Sequence, residues 1–405
     1  MKEVVITHGV RTPIAKVEKS LKNFSDLELG KLVIKDLVNN RAKISADEID
    51  HVIMGEVKQS ADPSNIARVA ALAAGIPADV PAYTVHRQCG SGLQAIMDAY
   101  QMILCGDAEV VLAGGVENMT RSVYFMRNSR SGLGSGDYVI EDSLTAGGPG
   151  AIPEDQYGSQ PMGITAEKLA DMYNIPRLRQ DEFAQLSQEK AFAAISEGRF
   201  KEQILPIEVE TPKGKIVFDT DEHPFLSSIE KLGALRPAFK KDGSVTAGNS
   251  SGRNDGAAAV LVMAADKAAE LGCKPMVKIL SIASSGCDPS IMGIGPVECT
   301  RIALERAGLT IHDIDVIELN EAFSAQSIAV VEAWLKWGIT EKDLMEKLNP
   351  NGGAIALGHP LGCTGAVLAV KCMYELLRVA EKRYGLITLC CAGGLGVAVI
   401  IEKAR

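Results

Sequence analysis

One cysteine stands where a strand is expected to turn into a helix. Cys89 lies between a β-favouring run at 82–85 and a helical pattern that begins near Leu93, and Gly90 and Gly92 follow it closely. Free N–H groups at a helix start lower the pKa of a thiol and favour the thiolate. The glycines let a substrate approach the backbone closely. The stretch indicates a nucleophile, although a buried structural cysteine on a tight turn fits the same pattern.

Two stretches near the C-terminus could supply the groups that such a nucleophile needs. His359 stands between Gly358 and Pro360, and an imidazole has the pKa of a base near neutral pH. Cys390 and Cys391 follow a strand-like run and precede a glycine-rich turn. Neighbours on a strand point to opposite faces, so one thiol should face the site and the other should pack. The alternatives are a turn histidine held by backbone groups, and a redox or metal-binding cysteine pair, for which C-x-x-C spacing is expected.

Asn320 is the fourth candidate. It follows a short apolar run and precedes a helical pattern from Ser324 to Trp337. At a strand end, its amide could hold a water or a carbonyl oxygen. The alternative is an asparagine that caps the following helix.

Composition limits the kind of protein that carries these residues. A chain of 405 residues is long enough for two or three domains. The net charge of −9 gives no basic excess for nucleic acid or a membrane surface. The nine cysteines are odd in number and scattered, which favours a reducing, cytoplasmic environment over a disulfide framework. No apolar run reaches the roughly 18 residues that span a bilayer.

The chain divides into three sections. Residues 1–120 alternate short apolar strands with helical patterns, which predicts an α/β protein with a parallel-rich sheet covered on both faces. Residues 121–248 are rich in Gly, Pro, Ser and charge but contain amphipathic helical patterns, so we expect a loop domain inserted on the sheet. Residues 271–405 again alternate strand and helix patterns, as residues 1–120 do. Residues 249–270 are expected to belong with residues 1–120 and to complete the N-terminal half.

Individual elements in the first section have clear boundaries. We expect a short buried strand at 51–55 and a helix at 65–74 that stops at Gly75. A further strand at 109–113 is expected to close on the glycine pair 114–115.

Two pairs of segments suggest an internal duplication. Residues 47–56 resemble 312–321, and the strand that ends at 113–115 resembles the one that ends at 392–394. The two pairs occur in the same order and at similar separations along the chain. Duplicated halves would pack as pseudo-twofold mates, with the strand ends of both facing one crevice.

Together these stretches resemble the thiolase family, which transfers acyl groups to and from coenzyme A. The resemblance covers nearly the whole length, and the segments that carry it are 10–13, 89–92, 113–119, 246–257, 320–323, 352–360 and 390–396. It implies the thiolase fold, with two similar βαβαβαββ halves packed as a layered α/β sandwich. The inserted loop domain would cover the coenzyme A site.

The resemblance also implies a role for each candidate. Cys89 would carry the acyl group, His359 would activate it, and Cys390 would move the α-proton of the acetyl group. Cys390 is preferred to Cys391 because only that choice aligns the following glycines with the family pattern. Asn320 and His359 would serve one oxyanion hole, and the backbone N–H groups of Cys89 and Ala392 the other. Contacts with coenzyme A and the acyl chain are expected from Ser251, Phe239, Met162, Ala322 and Phe323.

The implied reaction is the reversible cleavage of a 3-ketoacyl-CoA, either acetoacetyl-CoA or a longer one, to acetyl-CoA and acyl-CoA. The reverse direction is a Claisen condensation. No metal or redox cofactor is expected, since coenzyme A is a substrate. The family further implies a homodimer or homotetramer and a place in fatty acid metabolism, with neither nucleic acid nor a membrane as a partner.

Two other functions are open to this sequence. One is a related condensing ketosynthase, although such enzymes commonly lack the second cysteine. The other is a non-catalytic acyl-CoA-binding relative, although such proteins usually lose the nucleophile or the base. Four positions depart from the usual thiolase pattern: His86 replaces Asn, Ala392 replaces Gly, Pro161 replaces a His of many biosynthetic members, and Val367 replaces a frequent Arg.

Overall fold

The structure is a computed structural model that describes residues 2–404. Its strands are β1 (Val4–Arg11), β2 (Ala15–Lys16), β3 (His51–Gly55), β4 (Ala82–Val85), β5 (Val110–Asn118), β6 (Tyr124–Phe125), β7 (Glu141–Asp142), β8 (Ile207–Thr211), β9 (Gly214–Phe218), β10 (Asn254–Ala264), β11 (Val277–Gly286), β12 (Val316–Leu319), β13 (Tyr384–Cys391) and β14 (Leu395–Lys403). Its α-helices are α1 (Asp26–Asp36), α2 (Ile66–Ala74), α3 (Ser91–Cys105), α4 (Ser143–Ala146), α5 (Glu154–Tyr157), α6 (Met162–Met172), α7 (Arg177–Ser196), α8 (Ile229–Gly233), α9 (Ala265–Glu270), α10 (Gly295–Ala307), α11 (Ser324–Leu335), α12 (Glu341–Lys347), α13 (Ala354–Leu357) and α14 (Leu361–Arg378). The mixed α/β class is confirmed.

The central sheet has a palindromic strand order. It runs β12-β13-β14-β11-β1-β10-β5-β3-β4, with β2 paired to β10. Read outward from the β1–β11 contact, β1-β10-β5-β3 on one side corresponds to β11-β14-β13-β12 on the other. Only β3–β4, β3–β5 and β12–β13 are parallel among the strands of residues 2–404. The expectation of a parallel-rich sheet is therefore wrong, because β10 and β14 each return antiparallel between two strands of their half.

Equivalent hydrogen bonds show that the two halves are duplicates. Asp50 Oδ2 accepts from the backbone N–H of Val110 (2.9 Å) and from that of the residue before it. Asp315 Oδ2 accepts in the same way from Tyr384 (2.9 Å) and its predecessor. The sequence similarity between 47–56 and 312–321 pairs the same two aspartates, so this part of the predicted duplication is confirmed.

The second pair of similar segments is not structurally equivalent. Val110 corresponds to Tyr384, whereas the alignment of 113–115 with 392–394 would pair Val110 with Leu389. The strand β5 also continues through its glycine pair to Asn118. The reason is close approach: a Cβ at Gly114 would lie 2.2 Å from the carbonyl oxygen of Ala258, and one at the next glycine would lie 2.2 Å from the carbonyl oxygen of Gly362.

Two helices cross at the centre of the molecule. A Cβ at Gly92 of α3 would lie 2.7 Å from the carbonyl oxygen of Gly362, and one at Gly365 of α14 would lie 2.2 Å from the backbone nitrogen of Leu93. The backbones can approach this closely only because glycine has no side chain. The helix α3 begins two residues after Cys89, and α14 begins two residues after His359. Cys89 and His359 therefore each lie next to the point where the two helices meet.

Residues between β5 and β10 form two small hairpins, β6–β7 and β8–β9, and the helices α4 to α8. The helices α6 and α7 pack against α11 of the C-terminal half. Within residues 2–404, no helix combines the length and the hydrophobicity that crossing a bilayer requires.

Candidate active site

Cys89 lies on a tight turn that its neighbours hold in place. The preceding residue, Gln88, has a φ of +48°, a left-handed conformation that costs an L-residue roughly 1 kcal/mol. The buried hydroxyl of Ser91 accepts from the N–H of Arg87 (2.9 Å) and donates to the carbonyl of Gln88 (2.6 Å). These two hydrogen bonds stabilise the strained turn and keep the thiol at the start of α3.

The thiol of Cys89 is protonated at neutral pH. The residue is partly accessible, but the protein around its sulfur is dense, and burial raises the pKa to about 11. The backbone N–H groups of Ala392 and of Cys89 itself interact with the sulfur and oppose this rise. The same two donors are thus directed at the point where negative charge would develop, and a separate base is needed to remove the proton.

His359 is a buried, neutral imidazole. Burial lowers its pKa to about 4, and only 5% of its surface is exposed. Its backbone N–H donates to Asn254 Oδ1 (2.9 Å), and its Nδ1 lies 2.6 Å from Thr364 Oγ1. Asn320 Nδ2, 3.4 Å from Nε2, can only donate. The proton therefore resides on Nδ1, and Nε2 is the basic atom.

Asn320 is completely buried at the end of β12. Its Oδ1 has no hydrogen-bond partner within residues 2–404. A buried amide oxygen in this condition is suited to a water or a substrate group. The following helix α11 begins at Ser324 with Phe323 as its cap residue, so Asn320 does not cap it.

The two adjacent cysteines face opposite sides of β13. Cys390 belongs to the apolar cluster that contains Phe323 and packs against Met162. Cys391 belongs to the cluster on the other face, and its sulfur lies 2.7 Å from where a Cβ of Gly90 would be. The charge of a Cys89 thiolate would act on both thiols. Burial raises the pKa of Cys390 well above the usual thiol value, so the thiol holds its proton at neutral pH.

A second group of expected residues lies together at the loop-domain side. The backbone N–H and the hydroxyl of Ser251 both donate to the carbonyl of Ala322, each at 3.0 Å. The half-exposed ring of Phe239 meets that of Phe323 edge-on, with centroids 6.0 Å apart. Gly163 makes room for Phe239, because a Cβ there would lie 2.2 Å from the ring.

A cleft of about 440 Å³ adjoins this second group. Its lining includes Lys16, His223, Lys231 and Ser250. Burial, and then the charge of Lys16, lower the pKa of His223 to about 4, so the two lysines supply the positive charge. Met162 is the first residue of α6. Its terminal methyl lies 3.4 Å from where a Cβ of Gly148 would be.

Glu117 and Lys58 lie close enough to Cys89 for their charges to act on its thiol, but neither was singled out as a candidate from the sequence. The carboxylate of Glu117 accepts from the N–H groups of Gly362 (2.7 Å), Val57 (3.0 Å) and Lys58 (2.9 Å). It thereby ties the loop after β3 to the start of α14. An acidic residue inside an otherwise apolar strand is the signal that could have found Glu117. No sequence pattern distinguishes Lys58 from the other lysines of the chain.

His86 does not join the catalytic group. The residue as a whole is exposed, but the protein on one side of its ring removes enough water to lower its pKa, and the Gln88 side chain opposes that shift. His86 is thus the histidine nearest to Cys89 in sequence, but His359 is the buried imidazole that the preceding contacts place beside Asn320.

Comparison with known proteins assigns the family. The thiolase N-terminal domain matches residues 4–266, and the thiolase C-terminal domain matches residues 273–403. An acetyl-CoA acetyltransferase of Syntrophomonas wolfei is 49% identical over 405 residues, and a β-ketothiolase of Cupriavidus necator is 46% identical over 406 residues; each match covers 99% of both chains. The crystal structure of human mitochondrial 3-ketoacyl-CoA thiolase matches with a TM-score of 0.93 at 40% identity, covering 100% of this chain and 99% of that one. The chain belongs to the thiolase family, and the expected thiolase fold is confirmed.

Proposed function

We propose that the protein is a thiolase, an acetyl-CoA C-acyltransferase that cleaves 3-ketoacyl-CoA with coenzyme A and runs reversibly. One arrangement supports the proposal: Cys89 and His359 each lie two residues before one of the two crossing helices, Asn320 Nδ2 lies 3.4 Å from His359 Nε2, and the charge of Cys89 acts on Cys390. Full-length relatives that are named acetyl-CoA acetyltransferase and β-ketothiolase support it.

In the first half-reaction, His359 Nε2 takes the proton of the Cys89 thiol. The sulfur attacks the 3-keto carbon, and the C2–C3 bond then breaks. The acyl group stays on Cys89 as a thioester, and the departing acetyl-CoA enolate takes a proton from Cys390. The N–H groups of Cys89 and Ala392 would hold one oxyanion, and Asn320 with His359 the other; losing one such donor typically costs about 3 kcal/mol of barrier.

In the second half-reaction, coenzyme A enters as a thiol. Its proton passes to the Cys390 thiolate, and its sulfur attacks the acyl-Cys89 carbonyl. Cys89 leaves and regains its proton from the imidazolium of His359. Both thiols and the imidazole end as they began, which makes the cycle reversible.

The cleft beside Ser251 is proposed to take the coenzyme A nucleotide. Lys16 and Lys231 give it positive charge in a chain whose net charge is negative. Residues 121–248 would then form the cover of that site, with residues 1–120 plus 249–270 and residues 271–405 as the two halves. No metal or redox cofactor takes part in the proposed cycle.

The alternatives are less well supported. A ketosynthase has no use for a second buried thiol beside the nucleophile, whereas Cys390 has a defined task in thiolysis. A non-catalytic acyl-CoA binder needs neither Cys89 nor His359, and both are retained with their hydrogen-bonding partners.

The test is a thiolysis assay on 3-ketoacyl-CoA substrates from C4 to C16 with coenzyme A. We expect loss of the thioester absorbance for at least one chain length, and its absence for all of them would refute the proposal. Cys89→Ser should abolish acylation. Cys390→Ala should still be acylated at Cys89 but should not exchange the acetyl α-protons, whereas Cys391→Ala should exchange them. Normal exchange in Cys390→Ala would contradict the role given to Cys390.

We also propose a homodimer or homotetramer that acts in cytoplasmic fatty acid metabolism. The hairpin region around β6 and β7 supports association, because Tyr124 and Val139 are 68% and 73% exposed and a cluster of exposed apolar side chains commonly marks an interface. The free state of all nine cysteines fits a reducing compartment. Sedimentation velocity would distinguish a dimer from a tetramer.

A further inference from the structure

Lys58 follows β3 and reaches the segment at 143–147 of the expected loop domain. The strand end lies against the nucleophile turn, because a Cβ at Gly55 would be 2.5 Å from the backbone nitrogen of Gly92. Three residues later, the Lys58 ammonium donates to the carbonyl of Ser143. A Cβ at Gly147 would lie 2.1 Å from the ammonium nitrogen, so the segment at 143–147 lies directly on it. Lys58 is thus placed between the nucleophile turn and its cover.

The charge of Lys58 is not neutralised by a direct partner. The side chain is half-buried and forms no ion pair with any residue between 2 and 404. Burial lowers its pKa, while the charges of Glu117, Asp142 and Cys89 act to raise it. Glu117 is committed to three backbone N–H groups. A half-buried ammonium with a single carbonyl acceptor has two N–H groups left for a ligand.

Arg253 brings a second cation to the same place. Its backbone forms a β-bridge with His359, and its exposed guanidinium has no hydrogen-bond partner in the described part of the chain. Its charge acts on both Lys58 and Asp142. The Asp142 carboxylate is occupied as the cap of α4, accepting from the N–H of Leu144 (2.8 Å) and the hydroxyl of Thr145 (2.9 Å). Near Lys58 and Arg253, the carboxylates of Glu117 and Asp142 are thus both occupied by hydrogen bonds from other groups, and neither forms a direct ion pair with the two cations.

We infer that Lys58 and Arg253 bind a carboxylate at the far end of the acyl chain, so that the preferred substrates are coenzyme A thioesters of 3-keto dicarboxylic acids. The inference rests on the proposed thiolase function. The phosphates of coenzyme A are a poor alternative source of the anion, because the pantetheine arm separates them from the reacting thioester. The cleft with Lys16 and Lys231 offers them a site of their own.

The physical basis of the discrimination is desolvation. An unsubstituted acyl tail would remove water from Lys58 without replacing its hydrogen bonds, which is unfavourable for a charged group. A carboxylate at that position would pair with the ammonium and accept from the guanidinium fork, and such charge-assisted hydrogen bonds are the stronger kind. The site would thus favour an acyl group that ends in a carboxylate and disfavour one that ends in a methyl group, as specific sites commonly do.

The test compares two substrates of equal length, 3-ketoadipyl-CoA and 3-ketohexanoyl-CoA. In the wild-type enzyme, we expect kcat/KM for the carboxylated substrate to exceed the other by roughly tenfold or more, as for loss of one hydrogen bond to a charged group. Lys58→Met and Arg253→Met should each reduce this ratio by roughly tenfold. Lys31→Met, which removes an exposed cation of α1, should leave the ratio unchanged.

Each contrary outcome has a distinct meaning. If the wild type cleaves 3-ketohexanoyl-CoA as well as 3-ketoadipyl-CoA, the inference is overturned and the thiolase function stands. If both substituted proteins keep the wild-type ratio, the assignment to Lys58 and Arg253 is overturned. If the wild type cleaves no 3-ketoacyl-CoA at all, the proposed function fails and this inference fails with it. The wild-type comparison needs no variant, so a misfolded variant does not remove the test.

Discussion

At the scale of single residues, a buried carboxyl lies at the end of β3, next to the glycine that packs against the start of α3. Glu56 directly follows β3, is 3% exposed, and its Cα lies 2.7 Å from where a Cβ of Gly362 would be. Burial raises its pKa to about 9, and the charges of Asp26 and Glu117 add to the rise. The side chain is therefore a neutral acid at pH 7, at a point where the two halves meet.

This carboxyl makes the stability depend on pH. The ordinary pKa of 4.5 holds in the unfolded chain, and the folded pKa is about 9. The stability that comes from the bound proton is complete below pH 4.5 and is lost as pH rises through 9. We expect Glu56→Gln to be more stable than the wild type by on the order of 5 kcal/mol at about pH 8.5 and little changed at about pH 5.

Urea denaturation at the two pH values measures this effect. Glu189→Gln, which changes an exposed glutamate of α7, is the control and should follow the wild type at both. A Glu56→Gln curve that runs parallel to the wild type across this range would contradict the assigned protonation state.

At the scale of elements, the crossing of α3 and α14 depends on glycine. Gly365→Ala would force the helices apart, because its Cβ would be 2.2 Å from backbone rather than from a movable side chain. We expect a loss of about 3 kcal/mol, as for overpacking of a well-packed core, together with reduced thiolysis. Gly233→Ala in α8, where no atom lies within 4 Å of the new Cβ, should be neutral or slightly stabilising. Thermal unfolding of both variants checks this, and equal midpoints would contradict it.

Some elements could be predicted from sequence because only local signals decide them. The strand at His51–Gly55 has the expected bounds, and α2 ends at Gly75, which has a φ of +95°. The turn expected at the glycines of β5 is wrong, because glycine marks either a turn or a close approach, and only the distant partners in β10 and at the start of α14 decide between them.

The same limit applies to the site. The stretches around Cys89 and His359 carry local patterns of small residues that signal a functional turn. Lys58 and Arg253 do not, because their proximity arises from pairings between residues that are far apart in the chain. Long-range register of this kind has no local signature.

At the scale of the whole molecule, the halves share a core. One apolar cluster combines Leu93 and Ile96 of α3 with Leu368 and Met373 of α14. We therefore expect residues 1–270 and 271–405, produced separately, to lack a cooperative thermal transition, because each would expose this cluster to water. Produced together, they should associate and regain thiolysis. Circular dichroism and an activity assay are the measurements, and a cooperative transition in either half alone would contradict the expectation.

Cys89 and His359 occupy equivalent positions in the two halves of the palindromic sheet. Cys89 lies two residues before α3, and His359 lies two residues before α14. In the proposed mechanism, the two copies of this position carry complementary groups, the nucleophile before one helix and the base before the other. Neither copy can substitute for the other when one is damaged. The molecule is repetitive in its scaffold but has no redundancy in its chemistry.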